Sequence, residues 1–123
     1  MEDVFGAQSP LRQEKYISLA TFRRNGQAVL TPVWFALAGG SIYVMTRSDS
    51  GKYKRIHNHP RVRLAPCSAR GRVTGEWVEA SARILPREEE APARQALSAR
   101  YWLLRFPWLW SKKNIFLEIR PVR

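Results

Sequence analysis

The sequence predicts a small, mainly β protein: an antiparallel barrel carrying a few helices. Three observations point there. Short runs rich in β-branched and aromatic residues alternate apolar with polar positions, the period of a strand with one buried face. Glycine and proline punctuate those runs at Asn25-Gly26, Gly39-Gly40, Pro60, Gly71 and Pro86. No glycine fingerprint of a βαβ unit occurs, so hairpins rather than crossovers connect the strands. Closing such a sheet removes its exposed edges. At 123 residues, with no repeat, low-complexity tract or linker, the chain reads as one domain over 1–123.

Each element follows in order. Ser9-Pro10 offers a capping hydroxyl and then proline at the first helical position, which starts a short helix. Residues 15–22 alternate as a first strand. Asn25-Gly26 predicts a type I′ hairpin, whose two central residues need positive φ. Residues 27–37 form the return strand, Gly39-Gly40 turns it, and residues 41–46 form a third. Residues 50–59 are polar and basic and read as a helix of two to three turns, stopped by Pro60. Residues 62–68 resume the strand pattern, 69–71 turn, and 72–85 read as one long fifth strand ended by Pro86. Glu88, Glu89 and Glu90 open a helix running to about Tyr101, with acids at its positive end. Residues 114–119 form a sixth strand, with Ile115, Leu117 and Ile119 on one face.

Composition narrows the function. There are 21 Lys and Arg against 10 Asp and Glu, a formal net charge of +11. Apolar residues at 45% and charged residues at 25% are those of an ordinary folded domain, which excludes disorder as the main state. A single cysteine, Cys67, excludes an internal disulfide framework, and one Cys with two His cannot assemble a four-ligand zinc site; no metal is expected. Met1 is followed by Glu2 and Asp3 with no apolar run behind them, so a cytoplasmic location is expected. Residues 25–46 are uncharged and long enough for a membrane span, but Pro32 and Gly39-Gly40 interrupt them, and two strands explain them better.

The basic residues cluster. Arg47, Lys52, Lys54, Arg55, Arg61, Arg63, Arg70 and Arg72 fall in one stretch whose only acid is Asp49. Within it, the segment 46–52 lies where a strand ends and a helix begins. Hydroxyls of Thr46 and Ser50, free backbone N–H groups and the cations Arg47 and Lys52 converge there, a recipe for holding a phosphate. The same residues also suit an ordinary capped helix with a solvated basic face. His57 and His59 fall on different faces of that helix, Glu76 and Glu79 on opposite faces of a strand, so neither pair makes a metal or acid–base site; Cys67 reads as a small buried filler.

A resemblance sharpens this reading. Four pieces carry it in order: Tyr16-Ile17-Ser18-Leu19-Ala20-Thr21 with Asn25-Gly26; Thr31-Pro32-Val33-Trp34-Phe35; Thr46-Arg47, Ser50-Gly51-Lys52 and Arg55 closing on Asn58-His59-Pro60; and Val62-Arg63-Leu64-Ala65-Pro66-Cys67, with Gly71 and Gly75 ahead of Ala82-Arg83-Ile84-Leu85. Together they resemble the split-barrel flavin-binding superfamily of pyridoxamine 5′-phosphate oxidase, and are most similar to its branch that uses the deazaflavin coenzyme F420. The resemblance implies an antiparallel split β-barrel of the FMN-binding type and a homodimer with its site at the subunit interface. It implies that Pro32, Val33 and Trp34 floor the cofactor ring, and that Thr46, Arg47, Ser50, Lys52 and Arg55 take the phosphate.

It further implies an F420-dependent oxidoreductase passing a hydride between the deazaflavin and an unsaturated small-molecule substrate. No catalytic side chain is assigned. The charge agrees, because F420 is a long anion with a phosphate and a polyglutamate tail. An FMN-binding oxidoreductase of the same fold is the alternative, as is a non-catalytic cofactor-binding barrel. A nucleic-acid-binding barrel is a further class, fitting +11 and many arginines. The aromatic stretch from Tyr101 through Trp110 to Lys113 reads as a lid or pocket wall, a dimer contact, or a peripheral membrane anchor; it and Trp77 could reach a partner's site.

Overall fold

The structure, a computed structural model, describes residues 5–6, 9–101 and 114–122. Its strands are β1 (Tyr16–Phe22), β2 (Ala28–Trp34), β3 (Ala36–Ala38), β4 (Ser41–Arg47), β5 (Arg61–Cys67), β6 (Val78–Ile84) and β7 (Asn114–Pro121). Two α-helices, α1 (Gly51–Asn58) and α2 (Ala91–Arg100), and two 3-10 turns, Pro10–Gln13 and Arg87–Glu89, complete it. The strands make one antiparallel sheet in the order β2-β1-β5-β6-β7-β4-β3. Its two edges, β2 and β3, are neighbours in the chain, separated only by Phe35. The sheet therefore curls until its edges meet in one segment: a barrel with a split, as the sequence predicts.

The inner faces bury Ile17, Leu19, Phe35, Val44, Leu64 and Leu117 in one cluster, each fully enclosed side chain contributing roughly 1.5–3 kcal/mol. Helix α1 lies across one end of the barrel, with Ile56 inserted into that cluster. Helix α2 packs outside, where Ala93 and Leu97 meet Tyr43 and Phe116.

Four local expectations are corrected. The first hairpin is not type I′, because Asn25 does not adopt positive φ. Arg23 and Gln27 close a three-residue loop, the Gly26 N–H donates to the Arg23 carbonyl, and only Gly26 is left-handed (φ 87°), a type I turn with a glycine bulge. The return strand is two strands, broken at Phe35. The long fifth strand is half its expected length: β6 starts at Val78, and residues 72–77 are a loop joined to β5 by the Cys67↔Val73 bridge. The pairing Leu64↔Val78 and the bridge Cys67↔Val73 differ by two residues in register, so two extra residues bulge out between them. Pro66, which has no N–H for a ladder, lies at the slip, and Gly75 packs on its ring so closely that a Cβ would come within 2.5 Å of Pro66 Cγ. Trp77 is left 42% exposed.

Finally, the acids Glu88 and Glu89 sit in a 3-10 turn, and α2 begins only at Ala91, because Pro92 lacks an N–H and is tolerated only in a helix's first turn. Glu90, at the cap, bonds Arg94 at 3.0 Å instead. The first helix is likewise a single 3-10 turn, whose Leu11 N–H donates to Ser9 Oγ.

Candidate functional site

The split is set by pairing. β3 pairs with β4 as Ala36↔Tyr43, Leu37↔Ile42 and Ala38↔Ser41. Carried two to four residues further, that register would put Trp34 beside Met45, Val33 beside Thr46 and Pro32 beside Arg47. Instead β2 pairs along its other edge with β1, from Tyr16↔Trp34 to Phe22↔Ala28. An open edge of β2 thus faces the end of β4 and the start of α1, and two sets of residues singled out in the sequence face each other across the gap.

Phe35 explains the break. Its side chain is fully buried, and its backbone is held by α2 rather than by a strand. The Phe35 N–H donates to Tyr101 Oη (3.2 Å), and the Tyr101 hydroxyl donates back to the Phe35 carbonyl (2.8 Å). Tyr101 Oη also lies 3.4 Å from the Lys15 carbonyl, the residue that would pair with Phe35 if β1 continued. The hydroxyl replaces a rung of the ladder. Arg100 Nη1 donates to the same Phe35 carbonyl at 3.0 Å, and Arg100 also donates to the Glu14 carbonyl. Burial pushes the Tyr101 phenol above its ordinary pKa.

Along β2 the exposed face carries Leu30, Pro32 and Trp34, while Val33 points inward against the barrel core. Trp34 stacks on Tyr101 with ring centres 4.7 Å apart and planes at 10°. Hydrogen bonding alternates along an antiparallel pair. Because Arg23 donates to Gln27 across the hairpin, the backbone groups of Ala28, Leu30, Pro32 and Trp34 point away from β1, into the open edge. Pro32 removes one donor there, which blunts the edge against strand addition. What remains is a row of carbonyls with N–H groups at Ala28, Leu30 and Trp34, over an uncharged floor.

Opposite lies the start of α1. Ser50 caps it: its Oγ accepts from the Tyr53 N–H at 3.2 Å and lies 3.3 Å from Thr46 Oγ1. Arg47 projects on the other face of β4 and is bidentate to Asp49, at 3.0 and 3.1 Å, in solvent. Lys52 and Arg55 are half-buried and meet no carboxylate among the described residues. Arg55 Nε donates to Thr21 Oγ1 at 2.6 Å. Burial, and then the Arg55 charge, hold the Lys52 ammonium below its ordinary pKa; burial and then the Arg23 charge lower that of Arg55. Crowded cations with no counter-charge among the described residues suit an anion.

The structure thus gathers Thr46, Ser50, Lys52 and Arg55 at one end of the split and Pro32, Val33 and Trp34 along its side. It turns the Arg47 guanidinium toward Asp49 and the Val33 side chain into the core. Sequence reading missed Leu30, Thr21 and Arg23; it singled out Tyr101 only as the start of an aromatic lid, pocket wall or contact, not as the group that bonds the Phe35 backbone. Leu30 could have been found, being two residues from Pro32 on the same strand face. Trp102 to Lys113 lie outside the described residues. A separate hollow of about 290 Å³ opens beside β3 and α2, lined by Arg12, Ala36, Leu37, Ala96, Ala99 and Arg100. No group of three or more metal-ligating side chains occurs among the described residues, nor any helix long and apolar enough to cross a membrane. Cys67 is buried, and burial raises its thiol pKa.

A curled antiparallel sheet, split at one strand and capped by a helix whose start is cationic, defines a split barrel of pyridoxamine 5′-phosphate oxidase type. The sequence profile of the pyridoxamine 5′-phosphate oxidase family matches residues 7–122, and the chain belongs to that family. Among solved structures it is similar to the haem storage protein HutZ from Vibrio cholerae, with a TM-score of 0.74 and 12% identity over 90% of this chain and 84% of that one. A conserved hypothetical protein from Mycobacterium tuberculosis matches with a TM-score of 0.71 and 22% identity, over 92% and 76% of the two chains. An FMN-binding protein related to pyridoxamine 5′-phosphate oxidase from Nostoc punctiforme matches with a TM-score of 0.61 and 17% identity, over 88% and 71%. These likenesses establish the fold. A comparison with curated protein sequences found no match.

Proposed function

We propose that the protein is an F420-dependent oxidoreductase that seats the deazaflavin in the split and reduces an unsaturated organic substrate. The observation that carries the reading is the juxtaposition itself: an open, uncharged strand edge beside half-buried cations that have no carboxylate partner among the described residues. The donor set fits the group. Alternating carbonyls and N–H groups on the β2 edge match the polar rim of a planar heterocycle, and Lys52 and Arg55, with Thr46 and Ser50, match a phosphate. Arg47 joins them by leaving Asp49. FMN binding by the Nostoc relative supports a flavin-type ring in the same fold.

When bound and reduced, a deazaflavin supplies hydride from a ring carbon. The protein's own part is to hold the ring on the Pro32–Trp34 edge, fix the phosphate and keep water from the reacting face. Pairing into a homodimer accounts for the exposure of Leu30 (54%) and Trp34 (44%) on one strand face: a second copy covers the shelf and completes the site. Sedimentation tests that, with a dimer expected at micromolar concentration.

The cofactor test is a side-by-side titration of apo protein with F420, FMN and haem. F420 is expected to bind more tightly than FMN, because its longer anionic tail meets more of the +11 charge. Preference for FMN makes the protein a flavin enzyme of the same fold. Binding of haem alone overturns the reading.

A further inference from the structure

We propose that Arg23 completes a three-cation seat with Lys52 and Arg55, that Thr21 and Gly51 position it, and that it takes an anion of at least two closely spaced negative charges. Such a group is a phosphomonoester, or a phosphodiester with a carboxylate nearby. This inference rests on the reading of the split as a cofactor site and adds residues to it.

Three observations on different elements converge. First, Arg55 does not extend from α1 into solvent. It folds back over its own helix start, where Nη1 lies 2.6 Å from where a Cβ on Gly51 would be. Any side chain at 51 would displace the guanidinium. Gly51 has no positive φ, so the turn itself does not require glycine; the space it leaves is used by Arg55. Second, the other side of that guanidinium is fixed by β1. Thr21 is fully buried, and its Oγ1 accepts from Arg55 Nε at 2.6 Å. A guanidinium held by one hydroxyl and a notch keeps its remaining N–H groups for a ligand.

Third, Arg23 lies two residues beyond Thr21. It therefore leaves the strand on the face of Thr21, toward Arg55 and the mouth of the barrel. The Arg23 N–H closes the hairpin on the Gln27 carbonyl, which anchors its backbone while its side chain stays exposed. The Arg23 charge is felt at Arg55, and the Arg55 charge at Lys52. No carboxylate among the described residues pairs with any of the three. Elsewhere on the surface Arg63, Arg83 and Arg94 each have an acid partner. Three cations with no carboxylate partner among the described residues, two of them half-buried, repel one another until a multiply charged anion joins them.

The test is calorimetric titration of the full chain with inorganic pyrophosphate and, separately, with F420, across the wild type, Arg23→Gln, Thr21→Val and Gly51→Ala. Arg23→Gln is expected to weaken pyrophosphate about tenfold and to lower the salt dependence by about one ion. Thr21→Val is expected to weaken it several-fold. Gly51→Ala is expected to weaken it several-fold while its melting temperature stays level or rises, since alanine favours a helix and only a flexible side-chain end must move. A merely structural glycine would give the opposite pattern.

Unchanged affinity in Arg23→Gln and Gly51→Ala overturns the proposal, as does a wild type that binds no pyrophosphate. If the wild type fails to bind F420 while pyrophosphate binds and remains sensitive to Arg23 and Gly51, the seat stands and the F420 reading falls. If F420 binds with an affinity indifferent to all three variants, the cofactor reading stands and the seat falls.

Discussion

Replacing Tyr101 by Phe removes one oxygen atom from the place where the barrel splits. That oxygen accepts the Phe35 N–H at 3.2 Å and donates to the Phe35 carbonyl at 2.8 Å. The carbonyl keeps a second partner, Arg100 Nη1 at 3.0 Å, but the N–H keeps none among the described residues. An enclosed donor without an acceptor costs about 1–3 kcal/mol. The ring stack on Trp34 survives in the Phe variant and is lost in Tyr101→Ala, which adds about 0.5–1.5 kcal/mol beyond the lost apolar area. Urea unfolding reads both: with a slope of about 1–3 kcal/mol per molar, Tyr101→Phe should move the midpoint by about 1 M and Tyr101→Ala further. Amide exchange at Phe35 should quicken in both variants more than at Ile17 or Leu19. A Tyr101→Phe protein with an unchanged midpoint and an unchanged Phe35 amide would refute the idea that a hydroxyl substitutes for the missing rung.

Glu118 supplies a pH dependence. Burial alone would raise its carboxyl, but the Arg83 hydrogen bond, the Arg120 charge and the Tyr43 hydroxyl outweigh it and hold the pKa below the ordinary value. A depressed carboxyl stabilises above its unfolded pKa and loses that contribution as pH falls through the folded one. The stability difference between wild type and Glu118→Gln, about 1 kcal/mol given the exposed arginine partners, should be constant at neutral pH and shrink on acidification; a difference that grows toward acid contradicts the network. Gly75→Ala should destabilise by about 1–3 kcal/mol in thermal melts, because its Cβ meets the Pro66 ring rather than a flexible chain end. Val33→Asp should unfold the protein, since that side chain packs on the core, whereas Trp34→Lys should leave the fold intact and weaken cofactor binding. A folded Val33→Asp protein in circular dichroism would show the strand facing the other way.

Much of this was legible in the sequence because it is local. The Ser50 cap, the Pro60 stop and the double turn at Gly39 and Gly40, with φ of 59° and 81°, depend on residues within one turn of chain. The strand break at Phe35 was not, because its cause is Tyr101, 66 residues away, and nothing between Trp34 and Ala36 departs from the strand pattern. The fifth strand is shorter than its alternation for a related reason: the pattern runs on through residues 72–77, but Pro66 on the neighbouring strand has no N–H for the rung that would extend the pairing, and its carbonyl takes the Thr74 N–H in the slipped register. Of the site, the cationic helix start was visible as Ser50-Gly51-Lys52 and Arg55. The contribution of Thr21 depends on α1 lying across the barrel end, a tertiary fact that no spacing in the chain encodes.

A co-crystal with F420 decides whether the split is the cofactor seat. The ring should lie along the open edge of β2 at Pro32 and Trp34, with the phosphate within hydrogen-bond distance of Lys52 and Arg55. Density for the ligand in the hollow beside α2, or a split filled by protein side chains with the cation cluster unoccupied, would contradict that placement.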